Sequence, residues 1–370
     1  MSKPIFVARP SLPPLEEYVP FLEEIWETRV LSNGGQFHTQ LETELASYLG
    51  VEHLSLFASG TAALLLALRA LGVDGEVITT PYSFAATANA LVWNGLTPTF
   101  IDIDRKTLNL DARAIEAAIT DRTTAILGVH SYGNPCDVAS IEKIASRNNL
   151  KVIYDAAHAF SVEDSGGSVL RHGDMAVIST HATKVFNTFE GGIVVCKSEA
   201  QKEELDRLKN FGFEDPMTIN TPGLNGKMSE VSAALGLVQL RHVRRYIEER
   251  KAIHDRYKSE LSGIKGLQFY EYKADIRPNF SYFPVFITKE SRTEPKRVLE
   301  KMAERNIHCR RYFYPLISNF PYYLNQREPA SSSTPNAISA SDTVLCLPIY
   351  SDMTEEDLNH ICSTLKAALG

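Results

Sequence analysis

The chain has 370 residues, 44% hydrophobic and 22% charged, with a formal net charge of −7. That length suits two or three domains with a sizeable core. The acidic balance argues against a broad nucleic-acid footprint, which needs a basic face. No stretch reaches the roughly 18 consecutive apolar residues of a membrane span, and the opening MSKPIFVARPSLPPLEEY has no apolar signal-peptide core. The five cysteines, Cys136, Cys196, Cys309, Cys346 and Cys362, are scattered and include no C-x-x-C pair. Reduced thiols in a cytoplasmic protein are therefore expected, with neither a disulfide frame nor a metal site.

In chain order, strand-like and helix-like segments alternate from about residue 38 to 200. Short apolar runs at 53–58, 76–81, 97–104, 124–130, 151–157, 175–180 and 192–196 read as strands. Helical stretches follow the first two, at 61–72 and 85–95. Such alternation predicts an α/β domain around a mostly parallel sheet. Residues 227–263 read as one long helix, with a possible break, on which Val231, Leu235, Val238 and Val243 recur near a 3.6 period. Beyond it, strand-like 279–287, a helix near 293–305, further strand-like runs and a closing helix at 354–369 predict a smaller α+β domain. The expected division is 30–245 for the large domain and 246–370 for the small one, with residues 1–29 packing on the latter. The biased stretch EPASSSTPNAIS (328–339) reads as a surface loop.

Ligands of open parallel sheets sit at the carboxyl ends of the strands, and three features fall there. Ser59-Gly60-Thr61 closes a strand and opens a helix, whose free N–H groups and positive dipole end suit a phosphate; a simple N-cap by Ser59 or Thr61 is the bland alternative. The stretch matches neither G-x-x-x-x-G-K-[ST] nor G-x-G-x-x-G. Asp155 ends the apolar strand KVIYD, with His158 a short turn on. Such a carboxylate suits a metal, a ribose hydroxyl or a protonated ring nitrogen, or else caps the next helix. Lys184 lies in the loop between the apolar runs 175–180 and 192–196. A solvent-seeking lysine is the ordinary reading. A desolvated one becomes an amine nucleophile suited to Schiff-base chemistry. Phosphate grip, ring partner and covalent amine in one crevice are the demands of pyridoxal phosphate.

The ordered set SGTAALLLAL, PYSFAATANAL, PTFIDID, VHSYGNPCD, YDAAHAF, HATKVFNTFEGGIVV and GLNGKMSEVSAALGLVQL resembles the DegT/StrS-type nucleotide-sugar aminotransferases. The resemblance runs from about residue 30 to 262 and continues more weakly through RRYFYPL and LPIYSDMTEEDL. It implies the aspartate-aminotransferase-like, type I pyridoxal-phosphate transferase fold. It also implies pyridoxal 5'-phosphate as cofactor, with pyridoxamine phosphate formed in turnover. Lys184 would bond the cofactor and act as general base and acid, and Asp155 would face the ring nitrogen. Gly60, Thr61 and Ser179 match phosphate-binding positions, Phe84 the stacking aromatic, and His158 the residue beside the ring hydroxyl. Asn225 matches a residue reaching across from a partner subunit, which implies a homodimer with shared sites.

Glutamate would donate the amino group and a nucleotide-linked keto sugar would accept it. The wording around Lys184 is most similar to 4-aminotransferases acting on dTDP-linked 4-keto-6-deoxy sugars. UDP- or GDP-linked sugars and C3 amination stay open. Tyr314, together with Asn33 and Gly34 in the loop 31–36, is a candidate for contact with sugar or glutamate. His130 and Tyr132 suit core packing equally well, His181 is a weak catalytic candidate, and Cys196 reads as a buried strand residue. A sugar dehydratase of the same fold or a non-catalytic relative is the alternative; the dehydratase branch is expected to carry His at the position of Lys184.

Overall fold

The computed structural model describes residues 3–325 and 333–370. Its centre is a seven-stranded sheet. The strands are β1 (His53–Phe57), β2 (Glu76–Thr79), β3 (Thr97–Phe100), β4 (Thr123–Val129), β5 (Lys151–Asp155), β6 (Met175–Ser179) and β7 (Gly192–Cys196), in the spatial order 1-7-6-5-4-2-3. The pairs β2–β3, β2–β4, β4–β5 and β5–β6 are parallel, whereas β7 runs antiparallel to both β6 and β1. A parallel neighbour needs a crossover over the sheet face. The chain leaving β6 instead turns back through residues 180–191 and returns beside it, so this loop stays at the sheet's carboxyl edge.

The apolar runs are continuous because the sheet is covered on both faces. Alternate residues part to opposite sides: Leu54, Leu56, Ile78, Ile126, Tyr154 and Ile193 enter one core cluster, while Phe57, Val77, Leu127, Ile153 and Val194 enter another. The first cluster packs against the helix Gln36–Leu49 and the first half of the helix Glu230–Leu261. The second packs under the helix Gly60–Ala70.

The helix Glu230–Leu261 is continuous over 32 residues, without the possible break. At 1.5 Å per residue it is about 48 Å long. Its early part, Ala233 to Val243, joins the large-sheet core, and its later part, Ile253 to Leu261, joins a second core of C-terminal residues. That second core surrounds a three-stranded antiparallel sheet of β8 (Leu267–Phe269), β9 (Phe283–Ile287) and β10 (Val344–Leu347), with the closing helix Glu355–Leu369.

The N-terminal stretch divides, and this corrects the expectation that all of it packs on the C-terminal unit. Ile5–Phe6 pairs with Ile307–His308, and Ile5 enters the C-terminal core. The helix Leu15–Thr28 instead sends Tyr18 and Ile25 into the large-sheet core, because its two buried side chains face the long helix. The expected loop at 328–339 also needs correction. Residues 328–332 lie outside the described residues, and Pro335–Thr343 is a helix that begins on proline, a residue suited to that first position. Among the described residues no helix is long and apolar enough to cross a membrane.

Candidate active site

A cavity of about 430 Å³ opens at the carboxyl edge of the large sheet. The register explains what meets there. Asp155 ends β5 opposite Val177 of β6, and Gly192 of β7 lies opposite both Ser179 and Phe57. The ends of β1, β5 and β6 are thereby brought to one floor. Two glycines allow the approach. A Cβ on Gly192 would come within 2.5 Å of the Ser59 carbonyl oxygen, and one on Gly60 within 2.9 Å of Ser179 Cβ.

Ser59 caps the helix Gly60–Ala70, its side chain accepting from the Ala62 N–H at 3.1 Å, and its carbonyl accepts from the Ala63 N–H. The capping reading of Ser59 therefore holds. It still leaves the first two N–H groups, of Gly60 and Thr61, without a protein partner among the described residues, and both residues line the cavity. This is an anion cradle of backbone donors at the positive end of a helix of 11 residues.

Asp155 is 6% exposed. Its carboxylate accepts from Thr87 Oγ1 at 2.7 Å and from the Ala157 N–H at 3.2 Å. Burial nonetheless raises its pKa, outweighing these bonds and the charge of Lys184. His158 is likewise buried; its Nδ1 accepts from the Tyr132 N–H at 3.3 Å, and burial holds it well below the ordinary histidine value, so it is neutral. Lys184 is half-buried with its amine in the cavity. Burial brings its pKa from 10.5 down to about 8, the Asp155 carboxylate offsetting only part of that. Its Nζ donates to the Tyr282 hydroxyl at 3.3 Å.

Eight of the residues singled out from sequence line this one cavity: Ser59, Gly60, Thr61, Phe84, Asp155, His158, Ser179 and Lys184. Phe84 stands at the start of the helix Ala85–Trp93 with 64% exposure. The weaker candidate His181 is there too, its Nε2 3.6 Å from Glu190. Four others are elsewhere. Asn225 is exposed and bridges to Asn210. Asn33 and Gly34 are exposed in their loop. Tyr314 is 52% exposed and stacks under the Arg311 guanidinium at 3.6 Å, while its neighbours Tyr312 and Phe313 line the cavity instead. His130 and Tyr132 are core residues: His130 stacks on Tyr154 at 4.6 Å, and burial lowers its pKa to about 3, while the Tyr132 hydroxyl meets that of Tyr82 at 2.7 Å. Cys196 is buried in β7, its thiol pushed up to about 11.

The residues not anticipated are Thr87, Tyr282, Tyr312, Phe313 and Glu190. Thr87 gave no signal, lying inside a helical run. Tyr282, inside the apolar run 279–287, reads as an ordinary core aromatic and gave no signal either.

A desolvated amine sharing one cavity with a buried carboxylate and a backbone anion cradle is the arrangement of an enzyme that works through an amine nucleophile. The comparisons give the particular family. The model of the DegT/DnrJ/EryC1/StrS aminotransferase family matches residues 15–366, and the chain belongs to that family. It is 52% identical to a dTDP-4-amino-4,6-dideoxy-D-glucose transaminase of Shigella dysenteriae, over 99% of each chain. It is 48% identical to an enzyme of the same name from Escherichia coli, over 96% of each. The crystal structure of DesI with its TDP-sugar product superposes with a TM-score of 0.95 at 33% identity, covering 100% of this chain and 94% of that one. The protein is a transaminase of the type I fold, and the mostly parallel α/β architecture expected from the sequence is the observed one.

Proposed function

We propose that the chain binds pyridoxal phosphate in this cavity and transfers an amino group from glutamate to dTDP-4-keto-6-deoxy-D-glucose, giving dTDP-4-amino-4,6-dideoxy-D-glucose. The observation that carries the reading is that Lys184 and Asp155 line one cavity, near enough for the carboxylate's charge to act on the amine. The residues fit the cofactor. A carboxylate whose own burial opposes ionisation gains most from a cationic partner, which a protonated ring nitrogen provides. The cradle of Gly60 and Thr61, with Ser179 beside it, suits the phosphate, Phe84 a flat ring, and His158 the ring hydroxyl.

The cofactor, when bound, supplies an electron sink that lets a C–H bond beside an amino nitrogen ionise. The chain's residues do the remainder. Lys184, with a pKa near neutrality, takes a proton from the α-carbon of glutamate and later delivers one to the sugar carbon. Asp155 holds positive charge at the ring. The sugar is inferred from the names of the two relatives. We also read the enzyme as a cytoplasmic homodimer in which Asn225 serves the neighbouring site. The apolar side chains of Phe211, Phe213, Met217 and Ile219, exposed on the hairpin near Asn225, support a covered face.

The test is incubation with pyridoxal phosphate, glutamate and a panel of nucleotide-linked 3-keto and 4-keto sugars, followed by mass spectrometry. Formation of 2-oxoglutarate with a dTDP-linked 4-amino sugar is the expected outcome. Loss of a sugar hydroxyl without 2-oxoglutarate would mean a dehydratase, and preference for a UDP- or GDP-linked acceptor would overturn the substrate.

A further inference from the structure

The segment 279–282, just before β9, consists of an anchor and a reaching side chain. Asn279 is 1% exposed. Its side-chain amide donates to the carbonyl oxygens of His158 at 2.9 Å and Phe160 at 2.8 Å. Its Oδ1 accepts from the Ser281 hydroxyl at 2.7 Å and the Ser281 N–H at 3.1 Å. A buried amide with all its hydrogen-bonding positions filled is costly to displace. This clamp ties the C-terminal part of the chain to the loop after β5, beside the cavity.

Tyr282 follows directly. Its ring lies 4.6 Å from His158, 5.6 Å from Tyr312 and 6.0 Å from Tyr132, centroid to centroid. Its hydroxyl reaches Lys184 Nζ at 3.3 Å, the only side-chain hydrogen bond either residue makes among the described residues. The bond is long, as catalytic hydrogen bonds often are in clefts without reactants.

We propose that Tyr282 is a positioning residue for the amine of Lys184: its hydroxyl accepts a hydrogen bond from the free ammonium and holds Nζ inside the cleft. The proposal rests on Lys184 being the working amine. A lysine has four rotatable side-chain bonds, and one that must move a proton at a defined carbon gains from being held. The other groups facing Nζ do not supply this. Asp155 from β5 attracts it by charge, but hydrogen-bonds to Thr87 and Ala157. His158 is neutral and engaged with the Tyr132 N–H. His181 and Glu190 from the lysine's own loop pair with each other. Tyr312 packs its ring edge-on against Tyr282. Arg250, from the long helix, does not line the cavity; it donates to the Ile349 carbonyl and acts by its charge on Tyr282. Burial keeps the Tyr282 phenol protonated, so it meets the ammonium as a neutral acceptor.

The test compares Tyr282→Phe with Tyr272→Phe, which removes a hydroxyl from the same aromatic group that donates to the Tyr132 carbonyl instead. In the cofactor-free full-length chain, carbamylation of Lys184 by cyanate is followed against pH by peptide mass spectrometry. The midpoint is expected near 8 in the parent and in Tyr272→Phe. It should lie about one pH unit lower in Tyr282→Phe, because a charge-assisted acceptor of the ammonium is lost. In the cofactor-loaded enzyme kcat should fall about tenfold or more while both KM values stay within about threefold. An unchanged midpoint, or a lowered midpoint with unchanged kcat, overturns the proposal. Undiminished turnover in Lys184→Ala would overturn the lysine reading itself. The carbamylation shift does not depend on turnover, so the two failures are distinguishable.

Discussion

Replacing Lys184 with methionine should abolish transamination and make the cofactor-free protein more stable. Burial brings the lysine from 10.5 to about 8. Each pKa unit corresponds to about 1.4 kcal/mol, so holding the ammonium in the cleft at pH 7 costs about 3 kcal/mol. Methionine has similar length and no charge to desolvate. The value of about 8 already includes the attraction of the Asp155 carboxylate, so the net gain stays at about 3 kcal/mol. The sign depends on pH. A lysine whose folded pKa is depressed weakens the fold fully below that pKa, and the penalty fades as pH rises from about 8 to 10.5. Urea unfolding of parent and Lys184→Met at pH 7 and pH 10, at one protomer concentration, measures both effects. The variant should have the higher midpoint at pH 7, and the gap should narrow at pH 10. A variant less stable than its parent at pH 7, or a gap that does not change with pH, would refute the reasoning.

Thr87→Val keeps the side-chain shape and removes the hydroxyl that donates to Asp155. A hydrogen bond to a charged group contributes about 1.5–3 kcal/mol; the already raised pKa of Asp155 should climb further, and the acid limb of the kcat profile should move up by about one pH unit or more. Gly60→Ala places a methyl 2.9 Å from Ser179 Cβ and 3.2 Å from its Cα. One of the two backbones must shift, at about 1–3 kcal/mol, and a fluorescence titration should show pyridoxal phosphate binding weakened about tenfold or more. Lys184→Ala and Asn225→Ala should each be poorly active alone. If Asn225 serves the neighbouring site, refolding them together should restore about a quarter of parental activity, since half the dimers are mixed and each has one intact site; no restoration would remove Asn225 from that role.

What was legible in the sequence follows from where the chemistry sits. Apart from the edge strand β3, the strands of the large sheet are buried on both faces, so each reads as a short apolar run whose last residue is easy to find. Asp155, Ser59 and Gly60 fall at or just beyond such ends, and Lys184 is the cation between two of them. Chain order alone therefore predicts their meeting. Tyr282 and Phe313 were hidden for the converse reason: an aromatic in an apolar run looks like core, and both are in fact largely core side chains that expose one edge to the cavity. Nothing local indicates that Tyr282 meets a lysine 98 positions earlier. Tyr314 does not itself line the cavity, although its neighbours do. The segment 312–314 does reach the site, through Tyr312 and Phe313, while the ring of Tyr314 turns outward to Arg311.

The electrostatics of the floor give these contacts a common logic. Burial pushes Lys184 down, Asp155 up and His158 down, in each case toward the neutral form and in each case as the largest cause. Three groups opposed by the same force, within one cleft, are held there by the fold against their own preference. The holding is visible: Thr87 and the Ala157 N–H on Asp155, the Tyr132 N–H on His158, and the Tyr282 hydroxyl on Lys184. The first three donors come from the large-sheet part of the chain, and the fourth group comes from the C-terminal part through the Asn279 clamp. Lys184 is thus the group whose support depends on the two parts being docked. A change that loosens that docking, such as Asn279→Ala, should disturb Lys184 before it disturbs Asp155. In pH profiles the signature would be movement of the limb belonging to the amine while the acid limb stays in place, the opposite of the pattern expected for Thr87→Val.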